Sequence, residues 1–108
     1  MRGRSASEGD FLPCYHEVED GDDTLNWIAG QEWSNGRVGM IGGSYLGYVQ
    51  WCAAASGNPH LQALVSMVTA GSAFAALPRR GGCFDSGMIA WAFAVSNHQM
   101  HAARMPPD

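Results

Sequence analysis

The sequence predicts an α/β fold built on a parallel sheet, and three observations predict it. Two short apolar runs, 37–41 (Arg-Val-Gly-Met-Ile) and 61–68 (Leu-Gln-Ala-Leu-Val-Ser-Met-Val), are bounded by turn residues, as buried parallel strands are. A stretch with helical spacing precedes the first run, and an Ala-rich stretch joins the two. The resulting order, helix, strand, sharp turn, helix, strand, is that of parallel strands with helical crossovers.

Each element follows from its residues. Residues 1–13 read as loop, punctuated by Gly3, Ser5, Ser7, Gly9 and Pro13. Residues 14–32 read as a helix with Val18, Leu25, Ile28 and Ala29 on one face. Glu17, Glu19, Asp20, Asp22 and Asp23 load its first half with negative charge, which suits the helix dipole. Gly21 weakens its middle and moves the expected start toward Asp20. The acidic run is read as a solvated helix face rather than a metal site, because charge runs are usually surface. Ser34-Asn35-Gly36 is a turn into the first strand, and residues 48–55 form the helix that Gly57-Asn58-Pro59 ends. Residues 69–84 read as loop, with Pro78, Arg79, Arg80, Gly81 and Gly82. Residues 85–104 read as one helix, capped by Asp85 or Ser86, striped by Ile89, Phe93 and Met100, widened by Trp91 and Val95, and stopped by Pro106-Pro107.

Composition narrows the function classes. The chain has 108 residues, no Lys, six Arg and ten Asp or Glu, for a net charge of −4. No basic face is present, so no nucleic-acid partner is expected. No run of eighteen apolar residues exists, so no membrane-spanning helix is expected. The start lacks the apolar run of a signal peptide, and the expected location is cytoplasmic. Cys14, Cys52 and Cys83 make no CxxC pair or zinc pattern and read as reduced, buried or half-buried thiols. His98 and His101 lie three apart and read as a polar helix face rather than a metal pair. Neither a metal nor a cofactor is expected. Residues 1–54 carry a net −5 and residues 55–108 a net +1. So weakly charged a second half, with two strands that cannot complete a parallel sheet, predicts a piece of something larger.

Ser44 is the candidate for chemistry. It stands between the first strand and the helix after it, where a nucleophile on a tight turn projects its hydroxyl free of the sheet. Such a turn needs small neighbours, and Gly42 and Gly47 supply them as the structural glycines of the elbow. The helix behind Ser44 brings the positive end of its dipole and backbone donors, so the Tyr45 N–H is placed to stabilise an oxyanion. The strict G-x-S-x-G string is not met, because position 46 is Leu and the glycine falls at 47.

Longer blocks are more specific. Arg2-Gly3-Arg4 with Ser7-Glu8-Gly9, residues 23–28 (Asp-Thr-Leu-Asn-Trp-Ile), residues 31–40 (Gln-Glu-Trp-Ser-Asn-Gly-Arg-Val-Gly-Met) and residues 42–47 (Gly-Gly-Ser-Tyr-Leu-Gly) stand in one order. Together they resemble the cocaine-esterase-like and Xaa-Pro dipeptidyl-peptidase-like serine hydrolases over residues 2–95, including that family's variant elbow, G-x-S-Y-x-G. The resemblance implies an α/β-hydrolase core over 1–72 with the nucleophile elbow, and the start of a helical cap over 73–108. It implies a Ser–His–Asp acyl-enzyme mechanism with Ser44 as nucleophile and the Tyr45 N–H as one oxyanion donor. Trp91 resembles an aromatic wall of the acyl pocket, with a helix-packing aromatic as the plainer alternative. The family's Asp and His fall after the cap, beyond residue 108, and a second oxyanion donor falls before residue 1. His16, His60, His98 and His101 match no catalytic position of the family. The expected partners are a small ester, amide or peptide substrate and the remainder of the same hydrolase domain. The isolated chain is expected to be inactive. A non-catalytic binding module, using the Met- and aromatic-rich stretch 84–105, and a gene remnant are the competing readings.

Overall fold

A computed structural model of the chain describes residues 2–72 and 79–102, the side chains of 79–80 and 96–102 excepted. Two compact units divide it, residues 1–69 and 70–108.

The first unit holds helix α1 (Glu17–Ala29), strand β1 (Val38–Gly43), helix α2 (Tyr45–Ala55) and strand β2 (Leu61–Met67). β1 and β2 are parallel, with Gly39 opposite Ala63 and Gly43 opposite Met67, and α2 is the crossover between them. One face of the pair is covered, by α2 and by α1 packed on it. Val38, Met40, Leu64 and Ser66 point to that side and are half-buried, whereas Ile41, Val65 and Met67 are exposed. The strands are apolar on both sides, as a buried parallel strand is, but among the described residues of this unit they are sheathed on one side only.

α1 begins three residues later than its periodicity predicts and ends three earlier. Cys14 sits at φ +64°, which no helix accepts, and its N–H is turned to the Tyr45 hydroxyl. Gly21 does not weaken the helix; it lets α1 cross α2 closely. A Cβ there would lie 3.1 Å from the Ala53 Cβ and 3.2 Å from its Cα. Leu25 (2% exposed) and Ala53 fill that crossing with Cys52. Asn58 is the buried polar post of the unit. Its Nδ2 donates to Asp22 Oδ1 (2.7 Å) and Asn26 Oδ1 (2.9 Å), and its Oδ1 accepts from the His60 N–H (2.9 Å). The acidic face is therefore not simply solvated: Asp22 holds Asn58, Asp20 is paired with Arg2, and Glu17 holds Tyr45.

In the second unit, strands β3 (Arg79–Arg80) and β4 (Cys83–Phe84) form a small antiparallel hairpin where the sequence reads as loop. Gly81 (φ +58°) and Gly82 (φ +86°) make its two-residue turn, which needs positive φ at both positions. Cys83, on this bare two-residue strand, is exposed rather than half-buried. Helix α3 (Ser86–Ala102) is capped by Asp85, whose Oδ1 accepts from the Gly87 N–H at 2.8 Å. Its apolar residues Ile89, Trp91 and Phe93 are exposed. The Met100 side chain and the stop at Pro106-Pro107 lie outside the described residues. Among the described residues no helix is long and apolar enough to cross a membrane.

Candidate active site

The site grows out of the C-terminal end of β1. The ladder with β2 continues one bond past the strand, from the Ser44 N–H to the Met67 carbonyl at 3.0 Å. α2 then starts at Tyr45, three residues before the 48–55 read from the sequence, and the Ser44 carbonyl accepts from the N–H groups of Gly47 and Tyr48, both at 3.0 Å. Squeezed between strand and helix, Ser44 adopts φ +56°, ψ −123°. A non-glycine residue there is strained, and such strain clusters at functional positions. Its side chain is exposed and makes no capping bond to α2.

Both elbow glycines are required by contact. A Cβ on Gly42 would lie 2.6 Å from the Leu46 Cβ. A Cβ on Gly47 would meet Ser66 Oγ and Thr69 Cβ at 3.0 Å and the Met67 carbonyl at 3.1 Å. Gln50, fully buried one turn on, donates its Nε2 to the carbonyls of Leu46 (2.9 Å) and Gly42 (3.3 Å), tying the helix to the strand end.

Tyr45 has two ends with two tasks. Its backbone N–H is the first of α2 and directly follows Ser44. Its hydroxyl donates to the Glu17 carboxylate and accepts from the Cys14 N–H at 2.8 Å. Burial, and then the bond to Glu17, hold that hydroxyl far above the ordinary tyrosine range. Tyr48, on the same side of α2, is pushed up to about 12 by its bond to Cys52 and by burial. Burial also raises the Cys14 thiol. Glu17, Gln50 and the Cys14 N–H support the elbow, and sequence reasoning missed all three. Only Gln50, an amide in an Ala-rich apolar helix, carried a visible signal.

No histidine serves Ser44 among the described residues. His60 lies at the opposite end of the strand pair, its carbonyl on the Val38 N–H and its Nδ1 on the Gly36 carbonyl. Six residues of strand, about 20 Å at the strand rise, separate that end from Ser44. His16 stacks edge-on against Tyr15 at 4.8 Å. The side chains of His98 and His101 lie outside the described residues. No group of three or more His, Cys, Asp or Glu side chains able to hold a metal occurs among the described residues. Trp91 stands on α3 in the second unit, 38% exposed.

A strained serine between a parallel strand and its crossover helix, with glycines on both flanks, is the strand–turn–helix of an α/β hydrolase. The comparisons with known proteins agree. The family model of the X-Pro dipeptidyl-peptidases (S15 family) matches residues 1–108, and the chain belongs to that family of hydrolases. It is 51% identical over 70 residues, 64% of its length, to the cocaine esterase of Rhodococcus sp. (strain MB1 Bresler). Its fold superposes on a CocE/NonD family hydrolase from Staphylococcus aureus with a TM-score of 0.81 and 32% identity, over 90% of this chain. The chain spans 12% of the length of that esterase and 18% of that of the staphylococcal hydrolase.

Proposed function

We propose that this chain carries the nucleophile of a serine hydrolase that cleaves esters or amides, including peptides of the Xaa-Pro type, through an acyl-enzyme on Ser44. The Ser44 Oγ attacks the substrate carbonyl carbon as its proton passes to a histidine. The oxyanion that forms accepts the Tyr45 N–H. Collapse returns the proton to the leaving alcohol or amine, and water then releases the acid from Ser44. The histidine and its aspartate come from chain outside these residues, in keeping with the distance of His60. No cofactor takes part, and the three cysteines, none in a disulfide, suit a reducing cytoplasm.

What carries the assignment is the backbone of Ser44, held at φ +56° at the carboxyl end of a parallel strand. Removing the base leaves a serine hydroxyl with little nucleophilicity, so the 108-residue chain alone turns over no ester. A fluorophosphonate probe tests the assignment in the complete gene product. It labels the wild type at Ser44, and Ser44→Ala loses both the label and ester hydrolysis. Retained Ser44-independent turnover, or a complete product that the probe does not label, refutes it. The second outcome instead favours a non-catalytic binding module.

A further inference from the structure

Beside the strained Ser44 stands a second strained residue. Val68 follows β2 at φ +47°, a conformation that a β-branched side chain very rarely takes, and is 95% exposed. Its backbone is pinned on both sides by the elbow. The preceding Met67 carbonyl accepts the Ser44 N–H, and the following Thr69 approaches Gly47 so closely that a Cβ on Gly47 would lie 3.0 Å from Thr69 Cβ. Gly43 and Met67 are the last paired residues of the ladder, so Ser44 and Val68 are the first residues beyond it on neighbouring strands. Those strands are spaced about 5 Å apart. The carboxyl ends of parallel strands are where open α/β sheets bind ligands.

We propose that Val68 is a specificity-determining residue of this site: its side chain forms an apolar wall beside Ser44 and sets the bulk of the substrate group accepted there. This rests on Ser44 being the nucleophile. Strain of this kind clusters at functional positions, and an apolar side chain at the carboxyl end of the strand next to the nucleophile stands where a substrate is held. A substrate group packed against it supplies the apolar contact. Its two methyls then favour small groups over large ones, since a methylene or two in an apolar pocket changes discrimination by about tenfold or more.

The test measures kcat/KM in the complete gene product over two substrate series. One is p-nitrophenyl acetate, butyrate and octanoate, which varies the acyl group. The other is methyl, phenyl and naphthyl acetate, which varies the leaving group. Val68→Ala is expected to raise the large-to-small ratio about tenfold in at least one series, and Val68→Phe to lower it by a similar factor. Phosphonylation stoichiometry at Ser44 normalises each variant for folded enzyme, and Val68→Thr, of nearly the same shape, is expected to leave the ratio within about twofold. Ratios unmoved by both Val68→Ala and Val68→Phe in both series overturn the proposal, while Ser44→Ala remains inactive. If Ser44→Ala hydrolyses the esters as well as wild type, the nucleophile assignment falls and takes this proposal with it.

Discussion

Tyr45→Phe removes one oxygen and breaks the tie between the loop before α1 and the first residue of α2. The hydroxyl makes two bonds: it donates to the Glu17 carboxylate and accepts from the half-buried Cys14 N–H at 2.8 Å. A hydrogen bond to a charged group contributes about 1.5–3 kcal/mol, and a buried donor left without its acceptor costs about 1–3 kcal/mol. Water reaches part of this half-buried site, so the expected loss is about 2–4 kcal/mol, a large share of a typical stability of about 5–15 kcal/mol. Denaturant unfolding of the complete gene product reads it, with Glu17→Gln, which still accepts the bond, losing clearly less. The pH dependence gives a second readout. Burial and Glu17 raise the Tyr45 hydroxyl above the unfolded value of 10.0, so its stabilisation is whole below about pH 10 and declines as pH rises beyond it. Wild type should therefore lose up to about 1 kcal/mol of its advantage over Tyr45→Phe between pH 10 and 11, less whatever solvent screening removes. A loss under about 0.5 kcal/mol at pH 7, or an advantage that grows between pH 10 and 11, refutes the reasoning.

Three further outcomes are expected. Ser44→Gly relieves the strain of a positive φ and raises stability by about 1 kcal/mol in denaturant unfolding, while abolishing fluorophosphonate labelling; unchanged or lower stability contradicts it. Gly42→Ala places a Cβ 2.6 Å from the Leu46 Cβ and should cost about 1–3 kcal/mol, whereas Gly57→Ala, where no atom lies within 4 Å, meets only its φ penalty; equal losses by thermal melting contradict the contact argument. Asn58→Ala leaves Asp22, Asn26 and the His60 N–H without their shared partner and should cost about 2–4 kcal/mol, with Asn58→Asp worse at pH 7 than at pH 4, because it sets a second carboxylate against Asp22; a smaller loss for Asn58→Asp than for Asn58→Ala at pH 7 contradicts it.

Much of the fold is legible along the chain because it is written in local period and punctuation. The apolar runs before Gly42 and after Pro59, and the Ala-rich stretch between them, name strand, helix and strand in the right order. The hairpin at 79–84 escaped the sequence reading, which makes that stretch loop, because strands of two residues are too short for any period to register. Gly21 misleads for the opposite reason: its lack of a side chain reads as a flaw in a helix, and only the crossing with Ala53 makes it a fit.

By itself the sequence determined the α/β order, the place of Ser44 between strand and helix, and the small residues the turn demands. These depend on neighbours a few positions apart, which a linear pattern records. The tertiary structure alone decided what holds the turn: Tyr45 on Glu17 across 28 residues, Asn58 on Asp22 across 36, and Val68 beside Ser44 across the strand pair. It also set His60 at the far end of the sheet from the serine. Such pairings depend on which strand end meets which helix start, and no spacing along the chain encodes that.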